Sequence, residues 1–238
     1  MKIKRRAGVS HILQAIESMI EFQFFATITL LLLVAFYAVV DYRAVDSGNR
    51  IYRPMGIENE DAGGFLKEMN SENEDIVAWL VLNDTEVDYP VLKGKDNSYY
   101  LSHDYEGNYL VAGSIFMDYR NDINDDYLII YGHHMDNGRM FGSLAKYRDE
   151  AYLAEHRSGT LFTLDKNYDL EVIGFTTVSK TEGIYDLENS SNDVVDYFSR
   201  SAIDSDIFEH WNGERVVVLS TCNSNRGYRD VVLAKIIE

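Results

Sequence analysis

An uncharged run of nineteen residues, Phe22–Val40, constrains this chain more than any other feature. Its polar members are Gln23, Thr27 and Thr29. As a helix it would be roughly 28 Å long, close to the ~30 Å hydrocarbon core of a bilayer. A buried core helix is the bland reading, but the run is apolar on every face. Lys2, Lys4, Arg5 and Arg6 precede it, while Asp41 and Asp46 follow. Basic flanks stay on the cytoplasmic side, which orients the N-terminus inward. A cleavable signal peptide competes with this reading. The run is longer than a usual signal core, and no small-x-small cleavage site follows, so an uncleaved signal anchor is expected. Ile12, Leu13, Ile16, Met19 and Ile20 fall at helical spacing and extend the helix as an amphipathic lead-in.

Charge divides at this anchor. The chain carries 22 Lys+Arg against 39 Asp+Glu, a formal net charge of −17. Residues 1–40 hold four basic and two acidic residues, so all of the acidity lies after the run, at −19. An acidic ectodomain suits solvated faces and argues against a nucleic-acid binder, which needs a cationic surface. The one cysteine, Cys222, excludes an internal disulfide framework and a cysteine-rich zinc site. The expected layout is a basic cytoplasmic segment (1–21), the anchor (22–40), a tether (41–57) and an extracellular domain (58–238). Ser47, Gly48, Asn49 and Pro54 mark the tether.

The ectodomain opens on a helical pattern, Glu58–Asn70, and then turns to short β-type runs. These are Ile76–Leu82, Glu86–Val91, Val111–Met117, Tyr127–Tyr131, Thr160–Leu164, Leu170–Val178, Arg215–Thr221 and Val231–Ile237. So many short strands in a chain of this size predict a sandwich or barrel. Helical patches interrupt at Met140–Arg148, continuing to His156, and at Asn192–Ile203.

A lone cysteine beside an apolar strand is most often a buried small hydrophobe. Cys222 differs in its setting: it ends the run Val216–Thr221, a polar turn follows, and Arg226 and Arg229 come next. Nearby positive charge raises the thiolate fraction, the nucleophilic form. Such a thiol needs a proton-transfer partner. Of the six histidines, His133 stands out because it ends another strand, after Gly132. His133 and His134 are adjacent, so on a strand they point to opposite faces and would not share one metal. The acidic stretch Asp118–Asp126 lacks the spacing of a calcium loop and reads as a solvated turn.

These residues resemble class B sortases, membrane-anchored cysteine transpeptidases of Gram-positive bacteria. The matching segments are Asp75–Trp79, Val87–Val91, Asp96–Leu101, Gly113–Phe116, Ile130–Met135, Met140–Phe141 and Leu219–Cys222. The resemblance implies a mainly β fold with flanking helices, an eight-stranded sortase-type β-barrel behind an N-terminal transmembrane helix. It implies Cys222 as nucleophile and His133 as general acid and base. Arg229 matches the family's arginine, which directly precedes the last apolar strand, and Arg226 is the reserve. Asp230 departs from the apolar residue usual after that arginine. By similarity Asn97, Leu101, Ser220, Thr221, Asn223, Ile184 and Tyr185 line the peptide groove, with a backbone N–H near Asn223 facing the oxyanion. No metal or organic cofactor is implied. The implied partners are surface proteins with a C-terminal NPxT- or SPxT-like sorting signal, and an amine acceptor on peptidoglycan or pilin. A tethered cysteine peptidase that only hydrolyses, or a non-catalytic surface-binding module, are the rival readings.

Overall fold

The computed structural model describes residues 2–48, 62–201, 211–222 and 227–237. The chain divides into two compact units, the first ending at Ser47 and the second beginning at Gly48.

The first unit is one continuous helix, α1 (Lys2–Gly48). Its stretch Ile16–Val40 has a mean hydropathy of 2.2 and no buried residue, so it is long and apolar enough to cross a bilayer. The hydroxyls of Thr27 and Thr29 donate to the carbonyls of Gln23 and Phe25, each at 2.8 Å. Two of the run's polar side chains are therefore satisfied inside the helix, as hydrocarbon requires. The apolar stretch reaches back past Phe22 to Ile16, because Ile16, Met19 and Ile20 offset Glu17 and Glu21. It also continues past Asp41: no glycine or proline interrupts the backbone before Gly48, so the first part of the expected tether is helical. The rest of that tether, and the start of the helix expected from Glu58, lie outside the described residues.

In the second unit, α2 (Ala62–Glu72) precedes eight strands. These are β1 (Ile76–Leu82), β2 (Asp88–Leu92), β3 (Ile115–Met117), β4 (Tyr127–Gly132), β5 (Ser158–Thr163), β6 (Asn167–Ser179), β7 (Val216–Cys222) and β8 (Tyr228–Ile237). They close into a barrel in the order β1-β2-β3-β4-β7-β8-β6-β5. The β2–β3 and β4–β7 pairs are parallel and the others antiparallel. Closure leaves no open sheet edge.

Alternation explains why the central strands are apolar throughout. Leu128, Ile130, Val217, Leu219, Val232 and Ala234 fill the interior. Their neighbours Ile129, Val216, Val218, Val231 and Leu233 pack outward against Val194, Val195 and Phe198 of α4 (Ser191–Ser201). Strands buried on both faces read as continuous hydrophobic runs rather than alternating ones. Leu66 and Met69 of α2 cover another face, against Trp79, Phe116 and Phe162.

Two elements differ from the sequence reading. The strand expected over Val111–Met117 shrinks to β3, because the chain turns at Gly113 with φ +58. A Cβ there would lie 2.3 Å from the Tyr100 carbonyl oxygen, so only glycine fits. The helix expected from Met140 to His156 is split into a 3₁₀ segment, Gly142–Arg148, and α3 (Glu150–Glu155). Asp149 stands between them in an extended conformation and accepts from the N–H groups of Ala151 and Tyr152, capping α3.

Candidate active site

The parallel pairing of β4 with β7 brings two distant sequence motifs to one place. Tyr131 is paired with Ser220 and Gly132 with Thr221. The next residue along the chain is His133 after β4 and Cys222 at the end of β7, so both stand at the same end of the barrel. On the other side of β7, Cys222 is paired directly with Arg229 of β8. Three adjacent strands thus deliver His133, Cys222 and Arg229 as one row.

Local packing explains the residues around that row. A Cβ on Gly132 would lie 2.5 Å from Ile115 Cδ1 and Phe141 Cδ2. The position before His133 must therefore lack a side chain, which is the physical reason for the glycine in the segment Ile130–Met135. The His133 carbonyl accepts from the Phe141 N–H at 2.9 Å, and His134 bridges to Met140, so the loop carrying His133 is tied back on itself. His133 is exposed at the cleft, yet the protein around it and the neighbouring His134 push its pKa below the ordinary histidine value. His134 is half-buried, with Nε2 3.8 Å from Asp136 Oδ1.

The departure at Asp230 has a structural partner. Its buried carboxylate accepts from Arg148 Nη2 at 3.0 Å and from the Thr177 hydroxyl at 2.9 Å. Thr177 and Thr221 flank it on the neighbouring strands. A charge replaces the usual apolar residue because Arg148, at the end of the 3₁₀ segment, reaches over to neutralise it.

A cleft of about 310 Å³ lies at this end of the barrel. His133 and Arg229 line it together with five of the residues expected from sequence: Asn97, Leu101, Tyr185, Ser220 and Thr221. The Tyr185 and Ser220 hydroxyls share a hydrogen bond of 2.9 Å. Ile184 lies behind this lining: it is 1% exposed, packs in the layer under α4, and its carbonyl accepts from the Tyr127 hydroxyl. Asn223 and Arg226 fall outside the described residues. Tyr131 and Lys180 also line the cleft and were missed from sequence. Tyr131 had a signal, since it lies two residues before His133 and shares its face. Lys180 had none, because it leaves β6 in a loop.

The acidic stretch after Asp118 is tied into its own turn, while Asp118 itself is buried at its start. Asp118 pairs with Arg120, Asp122 accepts from the Asn124 N–H, and Asp125 from the Asp122 N–H. Among the described residues no group of three or more His, Cys, Asp or Glu side chains is placed to hold a metal.

A cation, an imidazole and a strand-end cysteine beside a cleft with polar and apolar walls suit nucleophilic attack on a peptide carbonyl. The Sortase domain profile matches residues 80–237 of this chain. Sortase B of Listeria monocytogenes serovar 1/2a is 36% identical over 183 residues, covering 72% of this chain and 74% of that protein. Sortase B of Staphylococcus aureus is 31% identical over 238 residues, covering 90% and 97%. A solved Staphylococcus aureus sortase B–substrate complex aligns with a TM-score of 0.65 at 31% identity, over 73% of this chain and 84% of that one. With the match running through both strand ends that meet at the cleft, the chain belongs to the sortase family and, within it, to class B.

Proposed function

We propose that Cys222, His133 and Arg229 carry out cleavage of a sorting-signal peptide after threonine and its transfer to an amine. Sortases are cysteine transpeptidases that anchor proteins to the cell wall, and membership gives this chain that general activity. The observation that best supports the residue roles is the strand register, which sets Cys222 between the strand ending before His133 and the one carrying Arg229.

The chemistry follows from these groups. The Cys222 thiol loses its proton to His133, and the thiolate attacks the carbonyl carbon after threonine in an NPxT- or SPxT-like signal. The carbonyl π electrons move to oxygen, where Arg229 and a backbone N–H near Asn223 hold the negative charge. Collapse breaks the C–N bond, and protonated His133 delivers its proton to the departing amine. A thioester on Cys222 remains. An amine of peptidoglycan or pilin then attacks it, His133 takes the amine's proton, and the thiolate leaves. Water in place of the amine gives hydrolysis. Asn97, Leu101, Tyr185, Ser220 and Thr221 form the walls that hold the peptide, while α1 anchors the enzyme with its N-terminus in the cytoplasm and the barrel outside.

Purified full-length protein in detergent should convert a fluorogenic NPxT- or SPxT-type peptide and, with an added amine, yield the amide by mass spectrometry. Cys222→Ala, His133→Ala and Arg229→Ala should each lower kcat/KM by about 100-fold or more. Normal turnover by Arg229→Ala beside a dead Arg226→Ala would reverse the arginine assignment. Product that never contains the added amine would leave a peptidase that only hydrolyses.

A further inference from the structure

The carboxylate of Asp118, directly after β3, is 0% exposed. Its two oxygens accept five hydrogen bonds. Oδ1 takes the Arg120 backbone N–H at 3.0 Å and Arg120 Nε at 2.8 Å. Oδ2 takes Arg120 Nη2 and Asn97 Nδ2, each at 2.8 Å, and the Tyr131 hydroxyl at 3.0 Å. Arg120 Nη2 also donates to the Tyr185 carbonyl at 3.2 Å. Asn97, Tyr131 and Tyr185 come from three separate parts of the chain: the β2–β3 connection, β4 and the β6–α4 connection. All three line the cleft, and Asp118 does not.

We propose that Asp118 is a positioning residue that sets how tightly the cleft holds its peptide, by orienting Asn97, Tyr131 and, through Arg120, the turn that carries Tyr185. The inference rests on the peptide-cleaving role given above. Burial of a carboxylate is costly, and an apolar residue would fill the same volume without that cost. A carboxylate here does something a hydrocarbon cannot: it orients three groups in the cleft walls at once. It fixes the Asn97 amide, whose Nδ2 is held by Asp118 and whose Oδ1 accepts from the Tyr119 N–H at 3.0 Å. One N–H and one lone pair of that amide stay available, in a set direction, for a peptide in the cleft. It also places the Tyr131 ring, which stacks on Tyr185 with centroids 6.4 Å apart, and Tyr185 in turn bonds Ser220. These bonds run to the walls of the cleft rather than to the row of His133, Cys222 and Arg229. Their loss should therefore change peptide binding and leave the bond-breaking step intact.

The test uses the full chain in detergent, a fluorogenic sorting-signal peptide, and iodoacetamide as a probe of Cys222. Asp118→Asn keeps the shape and removes the charge. It should raise KM by about tenfold, leave kcat within about twofold, and leave the alkylation rate unchanged. An unchanged KM overturns the proposal, as does a parallel fall of kcat and alkylation rate, which marks general loss of structure. Should Asp118→Asn fail to fold, Arg120→Lys serves. That side chain is 40% exposed, and lysine keeps the charge without the planar fork that spans Asp118 and Tyr185. It should raise KM by about threefold with kcat unchanged, and a wild-type KM overturns the proposal. If wild-type protein fails to cleave any such peptide, the proposed function falls, which is a separate result from an unaltered KM in the variants.

Discussion

At His133 two influences act on one imidazole. The surrounding protein disfavours the charged ring, and His134 beside it adds to that effect, so the pKa moves down. The neutral ring is then the form at hand near neutral pH, which is the form the proposed proton transfer requires. With the thiol removed, as in Cys222→Ala, these two influences remain. Imidazole titration by NMR in that variant should place His133 below the ordinary value of about 6.5. The sign for stability follows. The folded protein binds this proton less readily than the unfolded chain, so the contribution is fully present above the unfolded pKa. It is lost as pH falls through the lowered folded value. A value in Cys222→Ala at or above that of free histidine would remove this account. The convergence of the proposed site residues was legible from sequence where chemistry is rare: a single cysteine, and a histidine after a glycine that the core will not let change. It was not legible where a role depends on a neighbour far along the chain. Asp118 looked like part of a solvated acidic turn, because nothing local shows that Asn97 and Tyr131 converge on it. Asp230 looked like a departure for the same reason, since Arg148 lies in another element.

The elements themselves were readable to the extent that each carries its own pattern. All eight strands showed as apolar runs, and β7 and β8 showed most clearly because both of their faces are covered. The 3₁₀ turns Tyr99–Leu101 and Gly183–Tyr185 showed nothing, since three residues establish no period. They nonetheless place Leu101 and Tyr185 in the cleft. Elements are joined here by the contact of the Gly142–Arg148 segment with β8, through Arg148 and Asp230. Asp230 is 3% exposed and Arg148 58% exposed. Arg148→Ala takes the guanidinium away from a buried carboxylate, and should cost about 1–3 kcal/mol in urea unfolding, the lower end reflecting the solvated arginine. Replacing the carboxylate as well, in Arg148→Ala/Asp230→Val, should recover most of that loss, since an apolar pair of similar volume is often neutral. A double variant less stable than the single one would show that Asp230 does more than answer Arg148.

For the molecule as a whole, the division of charge and hydropathy assigns separate tasks to its two units. The stretch Ile16–Val40 is apolar on every side, while the acidity lies after it. Full-length chain mixed with lipid vesicles should sediment with them. A chain beginning at Ala62 should stay in the supernatant and keep the barrel's circular dichroism. Sedimentation of the shortened chain would move the anchor out of α1. The long apolar helix was legible because length and hydropathy are whole-segment properties. The helical continuation to Gly48 was not, because residues that merely permit helix carry no mark of it. The parallel pairing of β4 with β7 has one more consequence. Parallel neighbours need a long connection, and the one between β4 and β7 contains β5, β6 and α4. Closing so large a loop is entropically costly and slow, so His133 and Cys222 meet only as the barrel closes. A partly folded chain carries a thiol without its imidazole partner. The site proposed here is therefore a product of the barrel's long-range pairing, and assembles with it.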